Sequence, residues 1–318
     1  GVFVHRQVRA LKDLGHEVQV VSPRPYVPKL PFLSDRLTEQ SNIPYNWSSE
    51  GVDVSYPKYV SPPLLLTQPI SAVSARLRVV RHISKLVEKS QLDPDVVNSH
   101  TPLPDGYIGK FVSRLFDIPL VTTIHGAGIY VSPNNPVSHK QIQGVFDESS
   151  HCIFNSQKLQ SEAKKRFPNI SDSTVIPNGV PIREINSAEP AELSSNFKDR
   201  DLIIASLGYL QPRKNHSVVL EALNMFPSET RPGYIIIGDG PEYDELVQQA
   251  QQLGLQNDVK FFNDVENHSR VFSLLKSADV MALPSVDEAF GIAYIESMAC
   301  ECPVIACKNE GPASFVED

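Results

Sequence analysis

Short apolar runs alternate with helical patterns through both halves of the chain, and this alternation limits the possible folds more than any other feature. In the first half, apolar runs at 119–124 and 152–154 each lead into a loop and then into a helical periodicity. In the second half, the runs at 234–237 and 280–283 do the same. Strands that alternate with helices favour a parallel sheet covered by helices. The sequence therefore predicts an α/β protein.

The length and a change of pattern divide the chain into two domains. A chain of 318 residues can bury two hydrophobic cores of ordinary size. The alternation lapses into polar residues around Pro190 and restarts with the apolar run that begins at Leu202. We therefore expect an N-terminal domain at 1–185, a linker at 186–200 and a C-terminal domain at 201–318.

Both ends of the chain interrupt the α/β pattern. The sequence opens on a helical stripe of Val4, Val8 and Leu11, where an α/β domain normally begins with a strand. It stops at Asp318, just as the pattern of another helix begins. We expect a fragment of a longer protein that lacks the first strand and the C-terminal helices.

Composition argues against several classes of protein. The net charge of −8 argues against a broad nucleic-acid surface, although local basic groups can still bind a small anion. No apolar run is long enough to span a bilayer as a helix. The cysteines, which are Cys152, Cys300, Cys302 and Cys307, lack the paired spacing of metal ligands, and we expect a reduced, cytoplasmic setting.

Candidate functional residues of the first half follow predicted strands. His100, His125 and Asn178 each lie just past the carboxyl end of an apolar run, where open α/β sheets bind ligands. Gly126 and Gly128 would let a substrate approach the backbone beside His125. A histidine at such a position is equally consistent with a purely structural role, so both interpretations stay open.

Two further segments of the first half have a functional and a plain interpretation. The proline-rich, irregular segment 23–69 is either a surface loop or a specificity segment that faces an acceptor. An amphipathic helix is expected near 72–89, and its polar side includes Arg78 and Arg81. These cations would suit anionic lipid head groups or a lipid-linked acceptor, and a solvated helix face explains them more simply.

Two loops of the second half carry groups that suit a phosphate-bearing ligand. Arg213 and Lys214 follow the apolar run at 202–210, and they would offer a diphosphate one forked donor and one point charge. As an isolated pair they are more typical of a surface. Gly238 and Gly240 follow the next run, but the third glycine of a dinucleotide-binding motif is missing.

Glu288 and Glu296 flank the glycine, Gly291, at which a loop turns into a helix. Their carboxylates should lie about 10 Å apart at the rise of an α-helix, which is wide for a pair that acts on one glycosidic bond. Two acids at this separation better suit hydroxyls at opposite ends of a long ligand, and the helix start suits a phosphate. The plain alternative is a solvated helix face with a cap.

These segments, in this order, resemble the retaining GT-B glycosyltransferases of family 4. The matching segments are F-V-H-R-Q-V, N-S-H, T-I-H-G, I-P-N-G-V, S-L-G, R-K, I-G-D-G-P and the signature E-A-F-G-I-A-Y-I-E. The resemblance implies two Rossmann-like domains that face each other across a cleft. It also implies that a nucleotide-diphosphate sugar binds the C-terminal domain and that the acceptor binds the other domain. Asn98 departs from the pattern, because relatives often carry a histidine there.

The resemblance also implies roles for single residues. Arg213 and Lys214 would neutralise the donor diphosphate as it leaves, so that no metal is needed. Glu296 would bind the ribose hydroxyls, Glu288 would hold the transferred hexose, and His125 would bind a hexose hydroxyl. The implied catalytic residues are His125, Arg213, Lys214 and Glu288. The implied donor-binding residues are Gly208, Gly238, Asp239, Gly240, Val265, Phe290, Gly291, Ile292 and Glu296, and the acceptor-side residues are His100 and Asn178.

The implied function is transfer of a hexose from a UDP- or GDP-sugar to a glycan or lipid-linked acceptor, with retention of configuration. No cofactor, metal or nucleic acid is expected, and the setting would be cytoplasmic or peripheral at the inner face of the membrane. The alternatives are a non-catalytic nucleotide-sugar-binding protein, an inactive fragment, a GT-B epimerase and an NAD-dependent oxidoreductase.

Overall fold

The structure is a computed structural model that divides into two compact units. The described residues are 2–28, 35–49, 51–61, 68–89, 91–130, 135–170, 172–194, 197, 200–263 and 267–316. The first unit comprises Gly1–Asn155 and Leu159–Ile176, and the second comprises Ser156–Lys158 and Pro177–Asp318. Among the described residues, no helix combines the length and the hydrophobicity that crossing a bilayer requires.

The first unit is assembled around one parallel sheet and two small ones. The described elements up to residue 176 are α1 (Val2–Asp13), β1 (Val20–Val21), β2 (Arg24–Pro25), α2 (Asp35–Asn42), β3 (Asn46–Ser49), β4 (Val52–Ser55), β5 (Lys58–Tyr59), α3 (Gln68–Glu88), β6 (Val97–Ser99), a π-type turn (Pro102–Gly106), α4 (Tyr107–Phe116), β7 (Leu120–Ile124), α5 (Ala127–Tyr130), α6 (Pro136–Phe146), β8 (His151–Phe154), α7 (Gln157–Arg166) and β9 (Ser173–Val175). Strands β6, β7, β8 and β9 are parallel and lie side by side in chain order. The loops that follow β6 and β7 therefore emerge next to each other.

Helices cover the parallel sheet of the first unit through apolar stripes. Ala75 and Val79 of α3 pack with Ile108 and Val112 of α4 in one buried cluster. The two small sheets have the orders β1-β4-β3 and β2-β5. Their strands β1, β2 and β5 are only two residues long, so their pairing depends on the surrounding tertiary structure.

The second unit is a doubly wound α/β unit. Its described elements are α8 (Ile182–Ser187), β10 (Ile203–Leu207), a 3-10 turn (Pro212–Lys214), α9 (His216–Asn224), β11 (Gly233–Ile237), α10 (Tyr243–Gln252), β12 (Val259–Phe262), α11 (His268–Lys276), β13 (Val280–Leu283), α12 (Ile292–Ala299), β14 (Val304–Ala306) and a second 3-10 turn (Gly311–Ser314). The strand order is β12-β11-β10-β13-β14, and every described pairing is parallel. The order reverses direction between β10 and β13.

Strand β11 shows why this sheet forms. Ile235 and Ile237 belong to the apolar cluster on one face of the sheet, and Tyr234 and Ile236 belong to the cluster on the other. A strand that is buried on both faces needs apolar side chains at successive positions, which is what the sequence of β11 provides. The prediction of an α/β protein with parallel sheets is confirmed.

Three local expectations need correction. The segment 23–69 is not irregular, because its described part contains α2 and the strands β2 to β5. The amphipathic helix begins at Gln68 rather than near residue 72, and the strand expected at 202–210 is confined to Ile203–Leu207. Gly208 follows directly after Leu207 and ends the strand before the apolar run ends.

Candidate functional site

The loops that follow β10 and β13 lie side by side in the second unit. Ligands of open α/β sheets bind outside the carboxyl ends of the strands, at the point where the strand order reverses. The segment 284–291 after β13, which we call the acidic loop, bonds to the loop after β10 at that point. The Val286 N–H donates to the carbonyl of Arg213 at 2.8 Å, and the Asn215 side-chain amide donates to the carbonyl of Pro284 at 2.8 Å.

Arg213 and Lys214 are placed by a tight turn. Pro212 starts the 3-10 turn, and Asn215 ends it with a left-handed backbone at φ 55°. Asparagine adopts this conformation more readily than most residues. Helix α9 starts at once with His216, so both cations are held between the sheet and a helix N-terminus.

Lys214 and Glu288 form a buried ion pair at the switch point. The Lys214 ammonium lies 2.6 Å from Oε2 of Glu288, and the two side chains are only 10% and 11% exposed. The Arg213 guanidinium lies 3.6 Å from the same oxygen and is 39% exposed. The Ser285 hydroxyl also donates to that oxygen at 3.4 Å. Two cations and one carboxylate leave an excess positive charge, and the more exposed of the cations is Arg213.

The backbone of the acidic loop is held from two other parts of the second unit. The Glu288 N–H donates to Oε2 of Glu310 at 2.8 Å, and the Gly311 N–H donates to the Glu288 carbonyl at 2.9 Å. The Lys158 ammonium lies 2.7 Å from the same Glu310 oxygen. The Ser156 hydroxyl donates to the carbonyl of Ala289. The loop is therefore fixed by long-range contacts rather than by regular secondary structure.

Gly291 joins the acidic loop to α12 with a left-handed backbone at φ 91°. A Cβ atom there would lie 2.5 Å from the ring of Tyr294, so only glycine fits. The Tyr294 hydroxyl donates to the carbonyl of Leu283, and burial raises its pKa to about 12. Tyr294 therefore ties the first turn of α12 to the end of β13. Phe290 is buried against Phe315, with ring centroids 5.2 Å apart.

Glu296 is buried inside α12, and Ile292 forms the first turn of the same helix. Nε2 of His268 on α11 lies 3.7 Å from Oε1 of Glu296. Because both Glu288 and Glu296 are buried, a solvated helix face does not describe them. Carboxylates avoid the interior unless they are paired, so their burial indicates that the surrounding groups were selected to hold them.

The glycines after β10 and β11 allow two loops to touch. A Cβ atom on Gly238 would lie 2.0 Å from the carbonyl oxygen of Gly208, and one on Gly240 would lie 2.3 Å from the carbonyl oxygen of Leu210. Asp239 is exposed, and its side chain accepts from the Gly240 N–H at 2.7 Å. These residues shape the edge of the site through their backbone. Val265, which was expected to bind the donor, lies outside the described residues.

The first unit brings His100 and His125 together. Nδ1 of His100 lies 3.1 Å from Nε2 of His125, and the ring planes are 5° apart. Burial lowers the pKa of both rings, and that of His125 falls to about 4. Both rings are therefore neutral at pH 7. The N–H of one ring donates a hydrogen bond to the unprotonated nitrogen of the other. Asn178 is half-buried in the segment that follows β9, which belongs to the second unit.

Sequence reasoning missed several groups that hold the site. Ser285 and Tyr294 could have been noticed, because Ser285 lies in the segment that joins β13 to α12 and Tyr294 lies in the first turn of α12. Glu310 and Lys158 gave no local signal. Glu310 bonds to Glu288 of the acidic loop, 22 residues away in the sequence, and Lys158 pairs with Glu310 across 152 residues.

The fold and the switch-point residues define a class first. A doubly wound α/β unit with cations and acids at its switch point is a unit that binds nucleotides or other phosphate-bearing ligands in that crevice. Family models then identify the chain. The model for Glycosyltransferase Family 4 matches residues 1–184, and the model for Glycosyl transferases group 1 matches residues 189–318. The chain belongs to glycosyltransferase family 4, as the sequence predicted.

Among curated proteins, TuaC of Bacillus subtilis strain 168, named for teichuronic acid biosynthesis, is 28% identical over 99% of this chain and 78% of its own length. The chain spans 62% and 54% of the next two curated relatives. Among solved structures, Anabaena HepE in complex with UDP and glucose has a TM-score of 0.65 and 23% identity, covering 93% of this chain and 75% of that one.

Sucrose-phosphate synthase from Thermosynechococcus elongatus has a TM-score of 0.74 and 18% identity, covering 99% of this chain and 76% of that one. At these identities the two structures show the fold alone. The predicted GT-B architecture, which contains two Rossmann-like domains, is confirmed by them.

Proposed function

We propose that this chain carries the nucleotide-sugar site of a retaining glycosyltransferase. In this proposal the protein moves a hexose from a UDP- or GDP-sugar to a glycan or lipid-linked acceptor without a metal ion. One observation carries the proposal: Arg213 and Lys214 lie at the switch point of the second unit, where both contact Glu288 of the acidic loop that follows β13. The boundaries 1–185, 186–200 and 201–318 are the domain limits we propose for it.

The donor diphosphate is assigned to Arg213 and Lys214. Their charge is only partly balanced by Glu288, so an anion placed beside Arg213 would be attracted. When the bond between the anomeric carbon and the diphosphate breaks, negative charge grows on the leaving oxygen. Fixed cations stabilise that charge, and they already stand in place before the reaction. This supplies the role that a metal ion plays in other transferases.

The two buried acids are assigned to hydroxyls of the donor. Within the described residues, Oε1 of Glu288 accepts no hydrogen bond, whereas Oε2 is held by Lys214 and Ser285. Oε1 can therefore accept from a hexose hydroxyl while the ion pair stays intact. Glu296 would accept from the ribose hydroxyls about one turn into α12. Gly291 and the backbone around Phe290 would line the hexose pocket between them.

His125 is assigned to a hexose hydroxyl and His100 to the acceptor side. The acceptor hydroxyl would attack the anomeric carbon on the face from which the diphosphate leaves. A carbon–oxygen bond forms, the bond to the phosphate oxygen breaks, and the hydroxyl proton passes to the leaving diphosphate. Neutral imidazoles suit this side, because they bind neutral hydroxyls without competing with the donor for charge.

We also propose peripheral contact with an anionic membrane, at its cytoplasmic face. Arg78, Arg81 and Lys85 are exposed on α3, and Leu77 is exposed beside them. Clustered cations with an apolar side chain suit a surface of anionic lipids. Sedimentation with phosphatidylglycerol vesicles should pellet the protein, and the triple change of these cations to glutamine should leave it in the supernatant.

Donor binding is tested by thermal shift of the full chain against UDP- and GDP-hexoses. A ligand that binds only the native state raises the melting temperature. Lys214→Ala should abolish the shift given by the preferred donor, whereas Lys140→Ala, at an exposed position of α6, should keep it. An unchanged shift in Lys214→Ala would remove Lys214 from the site.

Turnover is tested by product analysis. Release of free nucleoside diphosphate only in the presence of an acceptor supports transfer, and the glycosidic linkage formed should keep the configuration of the donor. Donor binding without any release across a panel of acceptors would instead indicate a binding protein. Release without an acceptor would favour the epimerase alternative.

A further inference from the structure

Both peptide groups of Glu288 are held by one short segment, Glu310–Gly311. The Glu288 N–H donates to the Glu310 carboxylate at 2.8 Å, and the Glu288 carbonyl accepts from the Gly311 N–H at 2.9 Å. A Cβ atom on Gly311 would lie 2.5 Å from the carbonyl group of Ala289, so the two backbones touch. The contact thus has two hydrogen bonds and no room for adjustment.

The acidic loop needs such a contact because its own conformation does not orient Glu288. The loop has no regular secondary structure between β13 and α12. Asp287, directly before Glu288, has a left-handed backbone at φ 53°. This conformation is unfavourable for a residue with a side chain and persists only where neighbouring contacts impose it. Other bonds hold the loop at Pro284, Val286 and Ala289, but the bonds to Glu310 and Gly311 are the ones that hold the peptide groups of Glu288 itself.

The charge of Glu310 strengthens its bond to the loop. A hydrogen bond from a backbone N–H to a carboxylate is stronger than one to a neutral acceptor. The Lys158 ammonium lies 2.7 Å from the same oxygen, and the Lys158 and Glu310 side chains are 23% and 17% exposed. Lys158 therefore balances a charge that would otherwise be costly to bury.

We propose that Glu310, with its charge balanced by Lys158, is a positioning residue that fixes the Glu288 backbone and thereby aligns the Glu288 carboxylate with Lys214. The statement that the Glu288 carboxylate binds the sugar rests on the proposed function. The alignment of Glu288 by Glu310 does not rest on it. Glu310 contacts no group that we assign to the donor. It acts through the peptide N–H of Glu288, whereas Lys214 contacts the Glu288 side-chain carboxylate.

Two variants of Glu310 separate its roles. Glu310→Gln keeps an oxygen that can accept from the Glu288 N–H but loses the charge. Glu310→Ala loses both the acceptor and the charge. The effect should therefore be larger for alanine than for glutamine. Lys158→Met keeps the charged acceptor and removes only the cation that balances it, so its effect should also be smaller than that of alanine.

Hydrogen exchange measured by mass spectrometry tests the alignment without any substrate. In Glu310→Ala the amides of the acidic loop should exchange about ten- to a hundredfold faster than in the wild type, because a charge-assisted bond is lost. Glu310→Gln and Lys158→Met should give smaller increases in the same peptides. Glu221→Ala, an exposed acid on α9, should leave them unchanged. Unchanged exchange in Glu310→Ala, or faster exchange only in peptides outside the loop, would overturn the proposal.

Kinetics test the consequence for the reaction. Glu310→Gln should lower kcat about tenfold, while the affinity for the nucleoside diphosphate alone stays within about threefold, because Arg213 and Lys214 are untouched. Equal losses in both measurements would overturn the positioning role. If the wild type transfers no sugar, the proposed function fails, and the exchange experiment still decides whether Glu310 holds the loop.

Discussion

In the second unit Lys214 and Glu288 are buried as a charged pair, whereas in the first unit His100 and His125 meet as neutral rings. Both clusters lie just past the carboxyl ends of neighbouring parallel strands. The same position in a sheet therefore carries two kinds of electrostatics. The difference lies in the contacts, because Lys214 and Glu288 are counter-ions of each other, whereas His100 and His125 contact each other as rings whose pKa values are lowered by burial.

This difference indicates what each cluster can bind. A group of cations whose charge is only partly balanced attracts an anion, and salt weakens this attraction. A neutral imidazole pair binds hydroxyls through one donor and one acceptor, and charge plays no part until acid protonates a ring. The proposed roles, in which the cations hold the diphosphate and the imidazoles hold neutral hydroxyls, can be tested one cluster at a time.

The largest effect is expected from breaking the ion pair of the second unit. Lys214→Met leaves the buried Glu288 carboxylate with the half-exposed Arg213, 3.6 Å away, as its nearest described cation, which should cost about 3 kcal/mol of unfolding free energy. Glu288→Gln alone should leave Lys214 unbalanced, with a similar loss. The double variant removes both charges and should recover most of the stability of the unit. Urea unfolding of the four proteins gives the coupling free energy.

Measuring donor binding in the same four proteins separates the effect on stability from the effect on function. The double variant should be stable and yet show no thermal shift with any nucleotide sugar, because Lys214, which the proposal assigns to the diphosphate, is gone and Arg213 alone remains. If the losses of unfolding free energy in the two single variants simply added in the double variant, the ion pair would be contradicted. A stable double variant that still binds the donor would contradict the role assigned to Lys214.

A smaller effect is expected from acid, and it concerns the first unit. Burial lowers the pKa of His125 from 6.5 to about 4. Stability is therefore full above pH 6.5 and is lost as the pH falls toward 4, because the unfolded chain binds the proton first. At pH 5 the loss should reach up to about 2 kcal/mol. His125→Gln should reduce the loss of unfolding free energy between pH 7 and pH 5, as urea titrations at both pH values would measure.

The control for this prediction is the exposed His16. His16→Gln should show the same loss between pH 7 and pH 5 as the wild type. An equally steep loss in His125→Gln would mean that His125 is not a neutral buried ring, and the contrast between the two clusters would then weaken.

Most of the fold could be predicted from patterns within single elements. The five residues of β11 include no charged side chain and three isoleucines, so the sequence alone predicts burial on both faces. The short strands β2 and β5 were missed because two residues carry no periodicity, and they exist only through their pairing. The predicted irregularity of segment 23–69 is wrong in part for this reason, although α2, β3 and β4 are longer than two residues.

The candidate site divides in the same way. Arg213, Lys214 and Glu288 could be selected from sequence, but the ion pair crosses 74 residues and depends on β10 and β13 being neighbours in the sheet. Glu310 was invisible because it acts on a backbone N–H, which no side-chain pattern marks. Sequence thus indicates which groups bear the chemistry, and the fold decides which groups hold them.

The smallest effect is expected from His216, a neutral imidazole inside the charged second unit. It is 0% exposed at the start of α9, and neither ring nitrogen has a hydrogen-bond partner among the described residues. Burial, together with the charge of Lys214, lowers its pKa to about 4. A buried ring without partners stabilises nothing through its nitrogens, so His216→Leu should lose no stability at pH 7 and should gain up to about 1 kcal/mol.

At pH 5 the gain from His216→Leu should be larger, because leucine removes a ring that the unfolded chain protonates first. Thermal unfolding at pH 7 and pH 5 measures both gains. If the leucine variant instead loses more than about 1 kcal/mol at pH 7, His216 has a partner that matters. The second unit would then depend on an imidazole as the first one does, and the contrast between a charged and a neutral cluster would hold only for Lys214 and Glu288.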